Sequence, residues 1–326
     1  MSAAKGTEPV YVRRAPKAAT PRRLISGADV RTGSRLIASL FVSWLLPERS
    51  WRVVARHGSG LAGLLAGKTT TAVQSRMARA LGDENAAARL AADLRGARYE
   101  VAFECLRGYR PGGWRPKITV KGRSHLDEAL ARKKGCVLWV AHFVFAPNAA
   151  KMGLHRLGYK VSHLSRPDHG FSSTRLGIRW LNPVRRAFED RYLAERIVFD
   201  RAHPAAALMR ARKTVAANGI VSFTAGAWEG SSVVESPFLN SRITLALGPV
   251  WLARASGAPL LPVFAIRNQT GGAFVVEIES PIDVGGPGAE EAECMVRAAT
   301  SFLQRHLPRL REHPGQWRGW SSLKDP

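Results

Sequence analysis

The sequence is poor in cysteine. Its three cysteines, Cys105, Cys136 and Cys294, are odd in number and widely spaced, and no CxxC pair is present. This pattern excludes a disulfide framework and a thiolate zinc site, and it favours a reducing compartment.

Acidic residues are also scarce, since 25 Asp and Glu face 49 Lys and Arg, for a formal net charge of +24. At 45% hydrophobic residues, the chain has enough apolar content to build a core, which excludes a disordered basic tail protein. The charge requires a negative partner, which could be nucleic acid, an anionic membrane surface or an acidic carrier protein. No recognisable nucleic-acid-binding motif accompanies the charge, so we expect no nucleic-acid partner.

The apolar run at residues 36–46 is about half the roughly 20 residues that a membrane-spanning helix needs. Arg35 and Arg49 flank it, and Trp44 and Trp51 lie within or just beyond it. These features predict a helix that lies in the membrane interface, with tryptophans at headgroup level. A buried core helix is the alternative.

Composition divides the chain into three parts. Residues 1–35 carry eight basic residues, two acidic residues and three prolines, and we predict a mostly disordered basic arm, with a transit peptide as the alternative. Residues 36–112 are predicted to form a helical, membrane-proximal segment, including an amphipathic helix over 86–106. Residues 113–326 are predicted to form an α/β domain.

In this last part, strand-like and helix-like stretches alternate. The predicted strands are 136–141, 160–164, 196–199, 219–224, 260–266 and 273–279, and the predicted helices are 124–134, 149–157, 205–217, 245–255 and 289–310. Such alternation predicts a mainly parallel central sheet flanked by helices.

Familiar catalytic motifs are missing. No GxSxG serine elbow, HExxH pair or regular Cys/His metal spacing occurs. Gly67, Lys68 and Thr69 do not form a phosphate loop, because Ala62 stands at the first glycine position and the preceding residues favour a helix.

His142 is the first candidate catalytic residue. It follows an apolar strand-like run, which predicts a position at the carboxyl end of a buried parallel strand, where open α/β sheets bind ligands. A histidine there can act as a general base on a hydroxyl or an amine. A structural histidine at the start of a loop is the alternative.

An ordered series of segments resembles the lauroyl/myristoyl acyltransferases of lipid A biosynthesis, within the lysophospholipid acyltransferase superfamily. The segments are 44–54, 136–143, 151–167, 219–226, 236–267 and the tryptophan-rich 313–320. The resemblance implies an acyltransferase-like α/β fold. It also implies transfer of a fatty acyl group from acyl-ACP or acyl-CoA to a hydroxyl or amine of a lipid or glycolipid.

The family's HX4D/E motif pairs the catalytic histidine with an acid. His142 matches the histidine, but Pro147 stands where the acid is expected. Another acid, Glu229, Glu235 or Asp168, could orient His142 instead. Otherwise a backbone carbonyl fixes the imidazole, or the fold is retained for lipid binding without acyl transfer. Among the acids, Glu229 is our candidate.

The resemblance also implies substrate-binding residues. Arg166 follows the strand at 160–164, where the family keeps an arginine for phosphate or carrier contacts, and a guanidinium fork binds two phosphate oxygens at once. Phe238 and Arg254 are predicted to form part of the acyl pocket, with plain core packing as the alternative. The chemistry requires no metal and no cofactor beyond the acyl thioester, and the expected location is the cytoplasmic face of a bacterial inner membrane, peripheral or monotopic.

Overall fold

The computed structural model describes residues 8–14, 22–65, 67–199, 204–226, 231–268, 272–286 and 288–325. The first elements of the described chain are one strand and four helices: β1 (Val10–Arg13), α1 (Gly27–Leu45), α2 (Glu48–Leu65), α3 (Gly67–Leu81) and α4 (Glu84–Arg107). Helix α4 confirms the predicted amphipathic helix and packs against the other three.

Strands and helices alternate in the remainder. In chain order they are β2 (Lys117–Lys121), α5 (Arg123–Ala131), β3 (Cys136–Val140), α6 (Ala146–Arg156), β4 (Val161–Ser165), α7 (Arg175–Trp180), α8 (Asn182–Asp190), β5 (Glu195–Val198), α9 (Pro204–Ala216), β6 (Ile220–Thr224), β7 (Ser232–Phe238), β8 (Ser241–Ala246), α10 (Gly248–Ser256), β9 (Leu260–Arg267), β10 (Ala273–Ile278) and α11 (Glu291–Glu312). Two 3-10 turns, Pro314–Gln316 and Gly319–Ser322, end the chain.

Seven of the described strands form one sheet in the order β2-β10-β9-β3-β6-β4-β5. Strands β9, β3, β6, β4 and β5 are parallel, whereas β10 runs antiparallel to β9 and β2 runs parallel to β10. Every residue of β3 is buried, as the continuous apolar sequence of a central parallel strand requires. The predicted α/β class with a mainly parallel sheet is confirmed.

Helices cover both faces of this sheet. On strand β10, Val276 packs under Gly153 of α6, while the next residue, Glu277, points the other way and pairs with Arg309 of α11 at 2.7 Å. On the α11 face, Trp139 of β3 stacks on Phe302 with ring centroids 4.2 Å apart. The largest hydrophobic cluster therefore surrounds β3 on both sides.

A second sheet of order β1-β7-β8 is antiparallel and includes part of the predicted basic arm. The structure differs from the prediction for residues 1–35 in two places, because β1 pairs with β7 and α1 already begins at Gly27. The sequence Val-Tyr-Val in β1 has high strand propensity, and Ser26 and Asp29 form a capping box that starts α1. Residues 1–7 and 15–21 lie outside the described residues.

One other expectation changes. The predicted helix 245–255 begins only at Gly248, because β8 extends to Ala246. Residues 36–112 are mainly helical, as predicted. Within the described part of the chain, no helix has both the length and the apolar character needed to cross a bilayer.

Gly135 permits the tight turn that places β3. Its φ is +67°, and a Cβ atom there would lie 2.3 Å from the carbonyl oxygen of Val215. Its N–H donates to the side chain of Asn218 at 2.9 Å. Only glycine fits this position without displacing the start of the central strand.

Candidate active site

His142 lies two residues beyond the end of β3, at the carboxyl edge of the parallel part of the sheet. Its backbone carbonyl accepts a hydrogen bond from the N–H of Arg318 at 2.9 Å, and the next residue, Phe143, forms an isolated bridge with Trp317. The tryptophan-rich C-terminal segment thus fixes the backbone of His142. The side chain of His142 is partly buried.

Burial and positive charge keep the imidazole of His142 neutral. Burial lowers its pKa well below the usual value, and the guanidinium groups of Arg318, Arg185 and Arg98 lower the pKa further. A neutral imidazole is the protonation state that a general base requires.

The arginines around His142 also act on one another. Burial, followed by the charges of Arg185 and Arg98, lowers the pKa of Arg318 to about 9. The Nε atom of Arg318 is buried and has no hydrogen-bond partner among the described residues. Like charges gathered at a partly buried place are costly unless an anion neutralises them, and phosphate fits a guanidinium fork.

Glu189 of α8 is the fully buried carboxylate of this region. Its Oε2 lies 3.2 Å from Nζ of Lys151, 2.9 Å from Nε2 of His169 and 3.1 Å from a terminal nitrogen of Arg196, while Oε1 accepts from Nε of Arg185 at 2.8 Å. Lys151 and Arg185, together with the hydrogen bond to His169, hold the pKa of Glu189 well below its usual value despite its burial. Two of the partners, Arg185 and His169, are among the groups that lower the pKa of His142.

Glu189 was not predicted from the sequence as a site residue. Of its partners, only Arg185 is a neighbour in sequence, at the i,i+4 spacing of a helical ion pair. The others come from α6, β5 and the segment after β4, which the sheet topology brings together. A buried glutamate could have been suspected from the apolar Phe188 beside it, but its partners could not.

Arg166 follows β4 at the same edge of the sheet as His142. Its Nε donates to Asp168 at 3.0 Å. The segment that follows is organised by the amide of Asn182, which bonds the backbone at 168, 171 and 172. Arg166 therefore lies at the predicted edge of the sheet, where it is paired with Asp168.

Phe238 and Arg254 are each held by contacts of their own. Phe238 is buried in the aromatic cluster behind the site, 5.6 Å between ring centroids from Trp317. Arg254 lies at the C-terminal end of α10, at the edge of the sheet opposite His142, and its guanidinium donates to the carbonyls of Val284 and Ala289. Arg254 therefore holds the connection between β10 and α11 against the end of α10.

Of the acids considered as partners of His142, Glu229 lies outside the described residues. Glu235 of β7 binds Lys324 at 2.6 Å and Arg14, and Asp168 binds Arg166. Pro147, at the position of the family acid, is the second residue of α6. No group of three or more His, Cys, Asp and Glu side chains in the described ranges could hold a metal ion.

A cavity of about 260 Å³ opens beside this edge, between α2, α4 and the C-terminal turn. Val144, Glu100 and Arg267 line it, and Arg267 pairs with both Glu100 and the buried Glu104. Burial raises the pKa of Glu104 to about 8. The cavity wall is therefore polar on its α4 side.

A comparison with known protein families identifies the family of the chain. The family model for the bacterial lipid A biosynthesis acyltransferases matches residues 32–318, which is most of the chain. The protein belongs to this family, whose name describes acyl transfer in lipid A biosynthesis, and the resemblance drawn from the sequence is confirmed. No individual curated protein matches the chain significantly.

Proposed function

We propose that the protein transfers a fatty acyl group from acyl-ACP or acyl-CoA to a hydroxyl or amine of a phosphate-bearing lipid or glycolipid, with His142 as the general base. The observation that carries the proposal is the position of His142, a neutral imidazole at the carboxyl edge of the sheet of a lipid acyltransferase family member. Attack on a thioester needs a base beside the acceptor and no metal.

The arginines beside His142 support an anionic substrate. Arg318, Arg185 and Arg98 come from three separate elements and all act on the same imidazole. A bound phosphate would offset their mutual repulsion. It would also raise the pKa of His142 toward the range in which an imidazole is an effective base. Lipid phosphates and the phosphates of CoA or acyl carrier protein share this chemistry.

We propose further that the protein docks on an anionic membrane surface, on the cytoplasmic face of a bacterial inner membrane. Helix α1 exposes apolar side chains at helical spacing along one face, with Ile37 at 62%, Phe41 at 61% and Leu45 at 75% exposure. A backbone hydrogen bond from the N–H of Leu176 in α7 to the carbonyl of Leu24 joins this helix to the segment before α1, and α7 also carries the 66%-exposed Trp180.

We name this surface, made by Leu24, Ile25, Val30, Ile37, Phe41, Leu45, Leu176 and Trp180, the apolar platform. Exposed arginines flank it on both helices and before α1: Arg22, Arg23, Arg31, Arg175 and Arg179. Apolar side chains framed by arginines suit the boundary between acyl chains and anionic headgroups, which makes a membrane the occupant that we propose.

Acyl transfer is tested with the purified protein, labelled dodecanoyl thioesters of CoA and of acyl carrier protein, and a bacterial lipid extract. We expect an acylated lipid product, and a loss of roughly 10²- to 10⁴-fold in His142→Ala. His155→Ala is the matched control, because His155 is exposed at the far end of α6. Equal product from the wild type and His142→Ala would refute the catalytic proposal and support a lipid-binding accessory role.

Membrane docking is tested by sedimentation with vesicles of phosphatidylglycerol and phosphatidylethanolamine. The double variant Ile37→Glu/Phe41→Glu should lose vesicle binding, and binding of the wild type should weaken with added salt. Met209→Glu is the control, because Met209 is 71% exposed on α9, outside the apolar platform. Unchanged sedimentation of the double variant would contradict the proposal.

A further inference from the structure

Asn148, in the first turn of α6, has a buried side-chain amide that makes no hydrogen bond to any residue that the structure describes. It is 2% exposed, and neither Nδ2 nor Oδ1 has a partner among the described residues. A side-chain amide can donate two hydrogen bonds and accept two, and burying it unpaired costs free energy in the folded state. An unpaired buried amide in a native protein therefore calls for an explanation.

The position of Asn148 connects it with the surroundings of His142. Lys151 lies one helical turn further along α6, on the same face, and binds the buried Glu189. Glu189 in turn binds Arg185, whose charge acts on His142. Helix α6 begins at the carboxyl edge of the sheet, so Asn148 is nearer this edge than Lys151 by one turn, about 5 Å.

The start of α6 adds a favourable potential for developing negative charge. The helix is 11 residues long, and the positive end of its dipole lies at the turn that contains Asn148. The backbone N–H of Asn148 is already bonded to Phe145 at 3.0 Å, so the unpaired donor at this turn is the side-chain amide. A preorganised donor at the positive end of a helix is suited to an oxyanion.

We propose that the amide of Asn148 binds the carbonyl oxygen of the acyl thioester and stabilises the oxyanion that forms there. This inference rests on the proposed function. The acceptor oxygen bonds to the carbonyl carbon while its proton passes to His142, and the carbonyl electron pair moves onto the oxygen held by Nδ2 of Asn148. The pair then returns, the carbon–sulfur bond breaks, and the thiolate takes the proton from His142, which gives an ester and a free thiol.

A substrate-binding role and a purely structural role for Asn148 predict opposite changes in stability when the amide is removed. Leu keeps the branched shape of the Asn side chain, with two larger methyl groups, and brings no polar atom. If the amide serves only a substrate, Asn148→Leu removes an unpaired buried group and stabilises the free protein. If the amide supports the fold, the same change destabilises it.

The experiment measures thiol release from dodecanoyl-CoA and dodecanoyl-ACP with the bacterial lipid extract as the acceptor, together with the melting temperature without substrate. For Asn148→Leu we expect kcat to fall roughly 10²- to 10³-fold. We expect its Tm to rise by about 2 to 4 °C.

Thr244→Val is the matched control. Thr244 of β8 is 3% exposed, and its hydroxyl is likewise buried without a partner among the described residues, but it lies in the second sheet. This variant should show a similar rise in Tm with an unchanged rate.

The outcomes separate the inference from the proposed function. A wild-type rate in Asn148→Leu, or a fall in its Tm, overturns the role of Asn148 while His142-dependent cleavage upholds the proposed function. Absence of His142-dependent cleavage in the wild type overturns the proposed function and the oxyanion role with it. A fall in rate with a raised Tm, absent from Thr244→Val, supports the inference.

Discussion

A buried histidine behind the site makes the protein sensitive to acid. His306 of α11 is 2% exposed, and neither ring nitrogen has a hydrogen-bond partner among the described residues. Its ring lies 5.1 Å from that of Phe143 and 6.1 Å from that of Phe302. Burial, with a smaller contribution from the charge of Arg309, lowers its pKa from 6.5 to about 3.

The sign of the effect follows from proton binding. As pH falls below 6.5, His306 takes up a proton in the unfolded chain but stays neutral in the folded protein until about pH 3. The unfolded state is therefore favoured by about 1.4 kcal/mol for each pH unit in this window. Between pH 7 and pH 4.5 the cost is roughly 2.5 kcal/mol, which His306→Phe should abolish.

The measurement is urea unfolding of wild type and His306→Phe at pH 7 and pH 4.5. The difference in unfolding free energy between the two proteins should change by about 2.5 kcal/mol in favour of the variant at the lower pH. Phe302→Leu perturbs the same cluster without a titrating group, so its destabilisation should be the same at both pH values. Parallel pH dependence of wild type and His306→Phe would refute the reasoning.

Three further predictions concern the site, the neighbouring cavity and the turn before β3. Arg318→Gln removes a positive charge that acts on His142, so the pKa of His142 should rise. The acidic limb of the plot of kcat/KM against pH should therefore move to higher pH. An unmoved limb would contradict the electrostatic explanation. Burial raises the pKa of Glu104 to about 8, so between pH 6 and pH 8 the folded protein keeps a proton that the unfolded chain has already released, and wild type should lose roughly 2 kcal/mol of unfolding free energy. Glu104→Gln should lack this loss in urea unfolding, and an identical pH dependence of the two proteins would exclude a raised pKa. Gly135→Ala should lower the free energy of unfolding by more than about 1 kcal/mol, because φ is +67° and the new methyl group would meet the backbone carbonyl of Val215. An unchanged Tm would contradict this prediction and show that the turn can relax.

The central sheet was predictable because parallel strands that are buried on both faces have continuous apolar sequences. Strands β3 and β9, Cys136–Val140 and Leu260–Arg267, are of this kind and were predicted to within a residue or two. The strand Lys117–Lys121 was missed, since it alternates with exposed lysines at an edge of the sheet, and Ser232–Phe238 contains a proline that argues against a strand.

The candidate site was predictable only in part. His142 was found from its place after a buried strand, a local signal that the topology preserves. The partners of Glu189 were not accessible, because Lys151, His169 and Arg196 meet it only through the sheet topology. For Arg254, resemblance suggested a pocket, whereas the direction of α10 takes it to the opposite edge.

The distribution of charge explains how the site can lack an acid at position 147. Among the described residues, Glu189 is surrounded by Lys151, Arg185 and Arg196, so positive charge exceeds negative charge even before Arg318 is counted. A carboxylate at position 147 would reduce this excess and raise the pKa of His142, whereas Pro147 does neither. Under the proposed function, the phosphate of the substrate supplies that negative charge, so His142 becomes an effective base only when the substrate is bound. The local excess of positive charge around Glu189 and His142 therefore lies where a bound anion would complete the site.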